Sequence, residues 1–196
     1  MVYKAYINLV MKVVDKLDFI HNKKKVKKFF MYFYYTVTKL IVVLIVNYLI
    51  KTFKEALILA ITFMLLRQFA TGIHCNKNYQ CWILTLTVFI LLPILIKHFD
   101  LNNLLYLISY PIFIINYLLF APNDTYKHPF TNKVKRVIYK VVGVIIVTIF
   151  YAYSINNINY VTEAMFYSSL VTLISFHPIT YIVFKQSYYN YHLIKK

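Results

Sequence analysis

Glycine and acidic side chains are scarce in this sequence. The 196 residues include only two glycines, Gly72 and Gly143. Glycine-rich phosphate loops and the nucleophile elbow of serine hydrolases need more glycines at fixed spacings, so both are excluded. The six acidic residues form no paired motif, which leaves two-carboxylate catalysis and HExxH metal chemistry without the residues they require. Cysteine and histidine are the remaining candidates for chemistry.

The composition is that of a membrane protein. Hydrophobic residues make up 61% of the chain, charged residues make up 14%, and the mean hydropathy is +0.61. Soluble domains carry about 25% charged residues, so a chain this apolar is expected to lie in a lipid bilayer. The net charge of +16 then indicates basic cytoplasmic loops, and no nucleic-acid partner is expected. Frequent Ile, Lys, Asn, Tyr and Phe are typical of an AT-rich bacterial genome, which predicts the bacterial plasma membrane as the location.

Helical periodicity and long apolar runs predict one all-α, polytopic membrane domain over residues 1–196. Residues 1–28 form an amphipathic and basic segment, whose first part has the apolar spacing of a helix lying in the membrane interface. A bilayer core takes about 20 apolar helical residues, which divides the bundle at 29–184 into about six spans, followed by a tail at 185–196. The predicted spans are 29–50, 55–70, 81–96, 104–121, 137–154 and 158–184. The second and third are short and are expected to be tilted or re-entrant.

The distribution of basic residues predicts the orientation, because lysine and arginine concentrate in cytoplasmic loops. If the N-terminus is inside, the outer loops hold only Lys51, Lys54 and Lys97, and most other basic residues lie inside. Both termini and the loop at 71–80 are therefore expected on the cytoplasmic side. Lys39 lies within the first span, where a lysine costs about 3 kcal/mol on insertion scales. It is expected to face protein or water, and Glu163 is one candidate partner.

The polar segment 67–81 between two apolar runs contains the residues suited to chemistry. It holds both cysteines, Cys75 and Cys81, together with His74 and Arg67. A cysteine nucleophile reacts as the thiolate and needs a base or a cation beside it, which His74 could be for Cys81. Seven residues of straight helix would separate these two by about 10 Å, so the dyad requires a loop at this place.

The residues alone leave other interpretations open. Cys81 could be a packing residue at the start of an apolar helix, and Cys75 is a rival nucleophile. A Cys75–Cys81 disulfide is not expected in a reducing cytoplasm. A zinc site would lack a fourth ligand, so neither a metal ion nor another cofactor is predicted. Arg67 could extend to the interface or could hold a substrate carboxylate.

Two stretches of the sequence carry a family resemblance. The first consists of Arg67, then Thr71-Gly72-Ile73-His74, then Cys81. The second is Ala121-Pro122-Asn123-Asp124-Thr125-Tyr126-Lys127-His128-Pro129. Together they resemble the AgrB family, the accessory gene regulator B proteins of bacterial quorum sensing, with its Arg, Gly-Gly-x-His and Cys signature and its Ala-Pro-x-x-Thr-x-x-x-Pro segment. The chain departs from the signature at Thr71, where the family has its first glycine.

The resemblance implies a membrane cysteine endopeptidase that cleaves an AgrD-like precursor peptide and works as a homodimer. Cys81 would attack the peptide bond with His74 as general base, Arg67 and Gly72 would support the site or position the substrate, and an internal thiol or hydroxyl would capture the acyl group as a thiolactone or lactone. Basic residues after the second motif could attract an acidic tail of the precursor; they are Lys127, Lys133, Lys135 and Arg136. The alternative is a multi-spanning transporter or exporter of a small peptide without protease activity.

Overall fold

The computed structural model describes residues 6–9, 12, 23–73, 78–124 and 132–188. Within these residues the chain is built from α-helices and contains no β-strand, which confirms the predicted all-α class. The helices are α1 (Lys23–Leu49), α2 (Phe53–Ala70), α3 (Asn78–His98), α4 (Asn103–Phe120), α5 (Lys133–Asn156), α6 (Tyr160–Phe176) and α7 (Pro178–Val183). Of the predicted N-terminal interfacial helix, residues 6–9 and 12 are described and are helical.

Each predicted span contains a long helix, although several helices begin or end at residues other than the predicted ones. α1 begins at Lys23, so the lysine run before the first span is helical as well. α3 has 21 residues, so the expectation that the third segment is short is wrong. Polar residues at both ends of its apolar run continue the helix, as they can at a membrane interface. The last span is interrupted, because Pro178 lacks a backbone N–H and His177 before it is extended, with ψ 138°.

Four helices are long and apolar enough to cross a membrane, judged by length and composition. They are Phe29–Leu49, Tyr79–His98, Asn103–Phe120 and Lys133–Asn156. α2 carries three charged residues, and α6 has only 17 residues. Exposed leucine and isoleucine side chains cover the outer faces of the bundle, as expected where lipid is the solvent. The described residues therefore form a membrane bundle of four full-length helices and two shorter ones.

α6 is the central helix of this bundle. It packs most extensively on α2 and also contacts α3, α4 and α5. Its buried face is built from small residues, including Ala164, Ser168, Ser169 and Thr172, which allow neighbouring helices to approach closely. The hydroxyl groups of Ser168 and Ser169 both donate to Met165 O, and that of Thr172 donates to Ser168 O. These buried hydroxyl groups are satisfied within their own helix and need no water.

Two clusters of side chains fill the space around α6. The larger cluster is aromatic and packs α4 and α5 against α2 and α6; it includes Tyr106, Tyr110, Phe113, Tyr117, Phe150 and Phe166. The smaller cluster joins α1, α2 and α3 to α6; its buried members are Val43, Leu59, Ala60, Phe89, Ile96 and Ala164. α1 and α3 are therefore held side by side, which brings the middle of α1 next to the start of α3.

The C-terminal ends of α2, α4 and α6 meet at one side of the bundle. The backbone N–H of Gly72, after α2, donates to Asn123 O, after α4, at 3.2 Å. The backbone N–H of Ile73 donates to Ser175 O, near the end of α6, at 2.9 Å. The segments that follow α2 and α4 therefore lie on the same side of the membrane domain.

A buried asparagine compensates for a proline inside α3. Pro93 has no N–H to donate to the carbonyl group of Phe89, four residues earlier. Asn47 of α1 is fully buried, and its side-chain amide donates to Phe89 O at 2.9 Å and to Val43 O at 2.8 Å. The Thr52 hydroxyl donates to Asn47 Oδ1 at 2.8 Å. Because the bilayer offers no water to an unpaired carbonyl group, this contact stabilises the packing of α1 on α3.

Replacing Asn47 by leucine should destabilise the protein by about 1 kcal/mol, because Phe89 O loses its donor. Pro93→Ala restores a backbone N–H for that carbonyl group, so Asn47→Leu should cost less in a Pro93→Ala background. The measurement is the unfolding of the detergent-solubilised wild type, the two single variants and the double variant. An equal cost of Asn47→Leu in both backgrounds would contradict the role given to Asn47.

Candidate functional site

Cys81 lies in the first turn of α3, against α1. It is a free, half-buried thiol, and Lys39 Nζ of α1 donates to its sulfur at 3.1 Å. The Lys39 ammonium also lies over the Trp82 ring, 5.7 Å from its centroid. The expected pairing of Lys39 with Glu163 is wrong: Glu163 Oε1 accepts from the Leu101 N–H at 3.1 Å. Leu101 follows the C-terminal end of α3, so Glu163 is at the opposite end of that helix from Cys81.

The interruption of the helix that the proposed dyad requires is present. α2 ends at Ala70, residues 71–73 are non-helical, and α3 begins at Asn78. His74 and Cys75 lie outside the described residues, so the structure defines the backbone on both sides of them. Among the residues that are described, no group of three His, Cys, Asp or Glu side chains comes together to hold a metal ion.

Arg67 links the end of α2 to the end of α6. Its guanidinium group donates to Ser175 Oγ and to the carbonyl group of Ile73. The Ile73 N–H donates to Ser175 O, so the backbone of Ile73 is held on both sides. Since His74 is the next residue, these contacts fix the position of the backbone directly before the histidine.

Residues 71 and 72 turn the chain with backbone angles that favour glycine. Thr71 has φ 55° and ψ −133°, and Gly72 has φ 115°; a β-branched residue rarely adopts such angles. A Cβ atom at Gly72 would lie 2.6 Å from Arg67 Nη1 and 2.7 Å from Ser175 O. Gly72 is therefore required by both its conformation and its surroundings. Thr71 adopts a strained conformation at the position where the family signature has glycine.

Asn123 is a site residue that the sequence analysis missed. It is fully buried, its N–H donates to Ala70 O at 3.1 Å, and its carbonyl group accepts from Gly72. Its side-chain amide donates to Phe176 O at 2.9 Å. This one residue thus holds the ends of α2 and α6 together. The available signal was the second motif, which places a polar amide directly after an apolar span.

The basic residues expected to attract a precursor tail lie at the start of α5. Lys133 and Lys135 are exposed in its first turn, and Arg136 follows them; Lys127 lies outside the described residues. The first turn contains no acidic residue, and the N-terminus of a helix carries partial positive charge. α5 begins on the side of the bundle where α4 ends, which is also the side of the loop after α2. A surface that attracts anions therefore lies on the same side as that loop.

The sequence was compared with models of protein families and with solved structures. The family model described as Accessory gene regulator B matches residues 7–188, which include both motifs and the ends of α2, α4 and α6 that meet beside residues 71–73. No solved structure matches the chain.

Individual relatives carry the same family name. An AgrB-like protein of Clostridium acetobutylicum is 32% identical over 159 residues, which cover 80% of this chain and 75% of that protein. An AgrB-like protein of Listeria innocua is 31% identical over 134 residues, 67% of this chain and 65% of the relative. Accessory gene regulator protein B of Staphylococcus aureus is 36% identical over 91 residues, 46% of this chain and 49% of the relative.

Gly72→Ala should destabilise the protein by about 2–4 kcal/mol, because the added Cβ meets Arg67 and Ser175 and the positive φ is strained. Thr71→Gly should stabilise the protein or leave its stability unchanged, since it removes backbone strain at the preceding residue. Thermal unfolding of the detergent-solubilised variants measures both. The matched control is Gly143→Ala within α5, where a Cβ would lie 3.4 Å from the nearest atom, in Tyr117. A Gly72→Ala variant as stable as Gly143→Ala would contradict the tight packing described here.

Proposed function

Because this chain belongs to the AgrB family, the accessory gene regulator B proteins, we propose that it is a membrane-embedded cysteine endopeptidase that processes an AgrD-like precursor peptide. Family membership itself implies a part in the peptide processing of agr quorum sensing. The observation that supports the peptidase is the position of Cys81, a partly accessible free thiol in the first turn of α3, seven residues after His74 in the sequence.

The proposed reaction begins with attack on the precursor. His74 accepts the thiol proton of Cys81, and the sulfur attacks the carbonyl carbon of the scissile peptide bond. The C–S bond forms, the C–N bond breaks, and His74 passes the proton to the leaving amine. The C-terminal fragment departs, and the N-terminal part of the precursor remains as a thioester on Cys81.

Ring closure completes the proposed reaction. An internal thiol or hydroxyl of the precursor attacks the thioester, its proton passes through His74, and Cys81 is released as the leaving group. The product is a thiolactone or a lactone. Exchange of one thioester for another is nearly isoenergetic, so the acyl-enzyme conserves the energy needed for the ring if water is excluded. The half-buried position of Cys81 on α3, against Lys39 of α1, favours that exclusion.

We further propose that the site faces the cytoplasm of a bacterial cell, with both termini on that side. The loop after α2, the segment after α4 and the basic start of α5 lie on one side of the bundle. Lys51, which follows α1, and Lys54 lie at the other end of α2. More basic residues thus lie on the side of the site, as the preference of lysine and arginine for cytoplasmic loops requires.

Replacing Lys133 and Lys135 by glutamate should slow processing of a precursor with an acidic tail by about tenfold at low precursor concentration, because electrostatic attraction becomes repulsion. Processing should recover with a precursor whose tail acids are changed to lysine. The rate is measured in proteoliposomes by intact mass. The matched control carries Lys51→Glu and Lys54→Glu, the same charge change at the other end of α2. Equal slowing in the control would rule out a local tail site.

Cys81→Ala and His74→Ala should each abolish cleavage of a co-expressed, tagged precursor, whereas Cys75→Ala should leave cleavage intact. Immunoblotting detects the cleaved fragment, and a product mass lower by one water than the linear peptide identifies ring closure. Continued cleavage by Cys81→Ala would disprove the proposed nucleophile. The chain would then fit a peptide transporter or exporter better, in which Cys81 serves only in packing.

A further inference from the structure

We infer that Lys39 is a catalytic residue of the site, whose ammonium group stabilises the Cys81 thiolate before attack and again when the product leaves. The inference rests on the proposed function, because it assigns Lys39 to the reaction of that cysteine. Neither the spacing of residues along the chain nor the family signature indicated this role, since Lys39 and Cys81 are 42 positions apart.

The depth of Lys39 in the membrane domain calls for an explanation. It lies ten residues beyond Phe29, where the apolar span Phe29–Leu49 begins, and a helix rises 1.5 Å per residue, so Lys39 is about 15 Å into the span. The backbone of Lys39 is therefore near the middle of a hydrocarbon core of about 30 Å, and its side chain extends to Cys81 in the first turn of α3. Charged residues at this depth are rare, face the protein interior, and mark functional sites.

The partners of Lys39 are those of a group that stabilises an anion. Lys39 Nζ donates to Cys81 Sγ at 3.1 Å, and the Trp82 ring lies beneath the ammonium group. Neither the indole ring nor a neutral thiol carries a negative charge. Ionisation of Cys81 therefore places a negative charge directly beside the lysine, and hydrogen bonds between charged groups are stronger than those between neutral groups. Trp82 holds the ammonium group in place by a cation–π contact.

Arg67, another charged side chain near the site in the described part of the chain, is already engaged. Arg67 of α2 donates to Ser175 and to Ile73, so its contacts hold the backbone of the loop. From α1, Lys39 is the cation in contact with the sulfur. His74, which lies outside the described residues, is assigned the proton transfer. Arg67, His74 and Lys39 thus have separate tasks: the arginine holds the loop, the histidine moves the proton, and the lysine stabilises the charge.

The lysine donates no proton to the substrate in the proposed reaction. When His74 removes the thiol proton, the thiolate forms beside the ammonium group, and its negative charge is consumed as the C–S bond forms. In the ring-closing step the C–S bond breaks, and the electron pair returns to the sulfur beside the same ammonium group. Lys39 therefore stabilises the nucleophile in the first step and the leaving group in the second.

The experiment measures the reactivity of Cys81 without any precursor. Cys75→Ala leaves Cys81 as the only thiol of the full chain, and intact mass follows its alkylation by iodoacetamide at pH 7 and at pH 10. Lys39→Met should react about tenfold more slowly than the Cys75→Ala parent at pH 7 and at a similar rate at pH 10, where the thiolate forms without help. Lys39→Arg, which keeps the charge, should stay within about threefold of the parent at both pH values.

The controls separate charge stabilisation from a structural role. Lys140→Met removes another lysine from an apolar helix, one that donates to Leu118 O at 2.8 Å, and it should leave the alkylation rate unchanged. A Lys39→Met variant that reacts as fast as the parent at pH 7 would overturn the inference. Equal slowing at both pH values would overturn it as well, because that result indicates reduced access to the sulfur.

A comparison within the parent protein remains decisive if Lys39→Met does not accumulate. The quantity compared is the alkylation rate at pH 7 divided by the rate at pH 10. This ratio should be larger for the folded protein than for the same protein in denaturing detergent, where Lys39 and Cys81 are apart. The absence of that difference would overturn the inference. Cleavage of a precursor then separates the two proposals: no cleavage by the wild type overturns the proposed function, whereas full cleavage by Lys39→Met overturns only the role of Lys39.

Discussion

The site depends on one constraint, which is that backbone leaving a helix inside an apolar domain must have its hydrogen bonds supplied by the protein. Residues 71–73 meet it through three partners from distant parts of the chain. The Asn123 carbonyl group accepts from the Gly72 N–H, Ser175 O accepts from the Ile73 N–H, and Arg67 donates to the Ile73 carbonyl group. Residues 71–73 are therefore supported at the place where the ends of α2, α4 and α6 meet.

This arrangement explains why the two motifs that carry the family resemblance occur in one chain. An isolated β-bridge joins Thr71 of the first motif to Asn123 of the second. The second motif thus forms the support of the first, in addition to any part that its basic residues have in binding. It also explains how Thr71 is accommodated in place of glycine: its hydroxyl group donates to Asn123 O, a contact that glycine could not make and that offsets part of the backbone strain.

The residues of the proposed chemistry belong to helices that pack against one another. Cys81 is carried by α3, Lys39 by α1, and the backbone before His74 is anchored to α4 and α6. Reactive groups held by helices are positioned more accurately than groups on unsupported loops. The hydrogen bond from Asn47 to the Phe89 carbonyl group, which Pro93 leaves without a helical donor, also supports the site. It stabilises α1 on α3 and so maintains the distance between Lys39 and Cys81.

The sequence by itself determined the membrane class, the approximate place of each long helix, the need for a loop before Cys81 and the identity of the family. Those features depend on hydropathy, on local periodicity and on short motifs, which are properties of neighbouring residues. The partners of Lys39, Asn123 and Asn47 were decided only by the tertiary structure. Each of these side chains meets its partner across tens of residues, and a lysine or asparagine in an apolar run shows that a partner is needed without showing which one. Glu163 was a reasonable partner for Lys39 by charge, but α6 starts beside the end of α3, so Glu163 meets Leu101 there. α1 and α3 run parallel, which places Cys81 at the start of α3 beside the lysine instead.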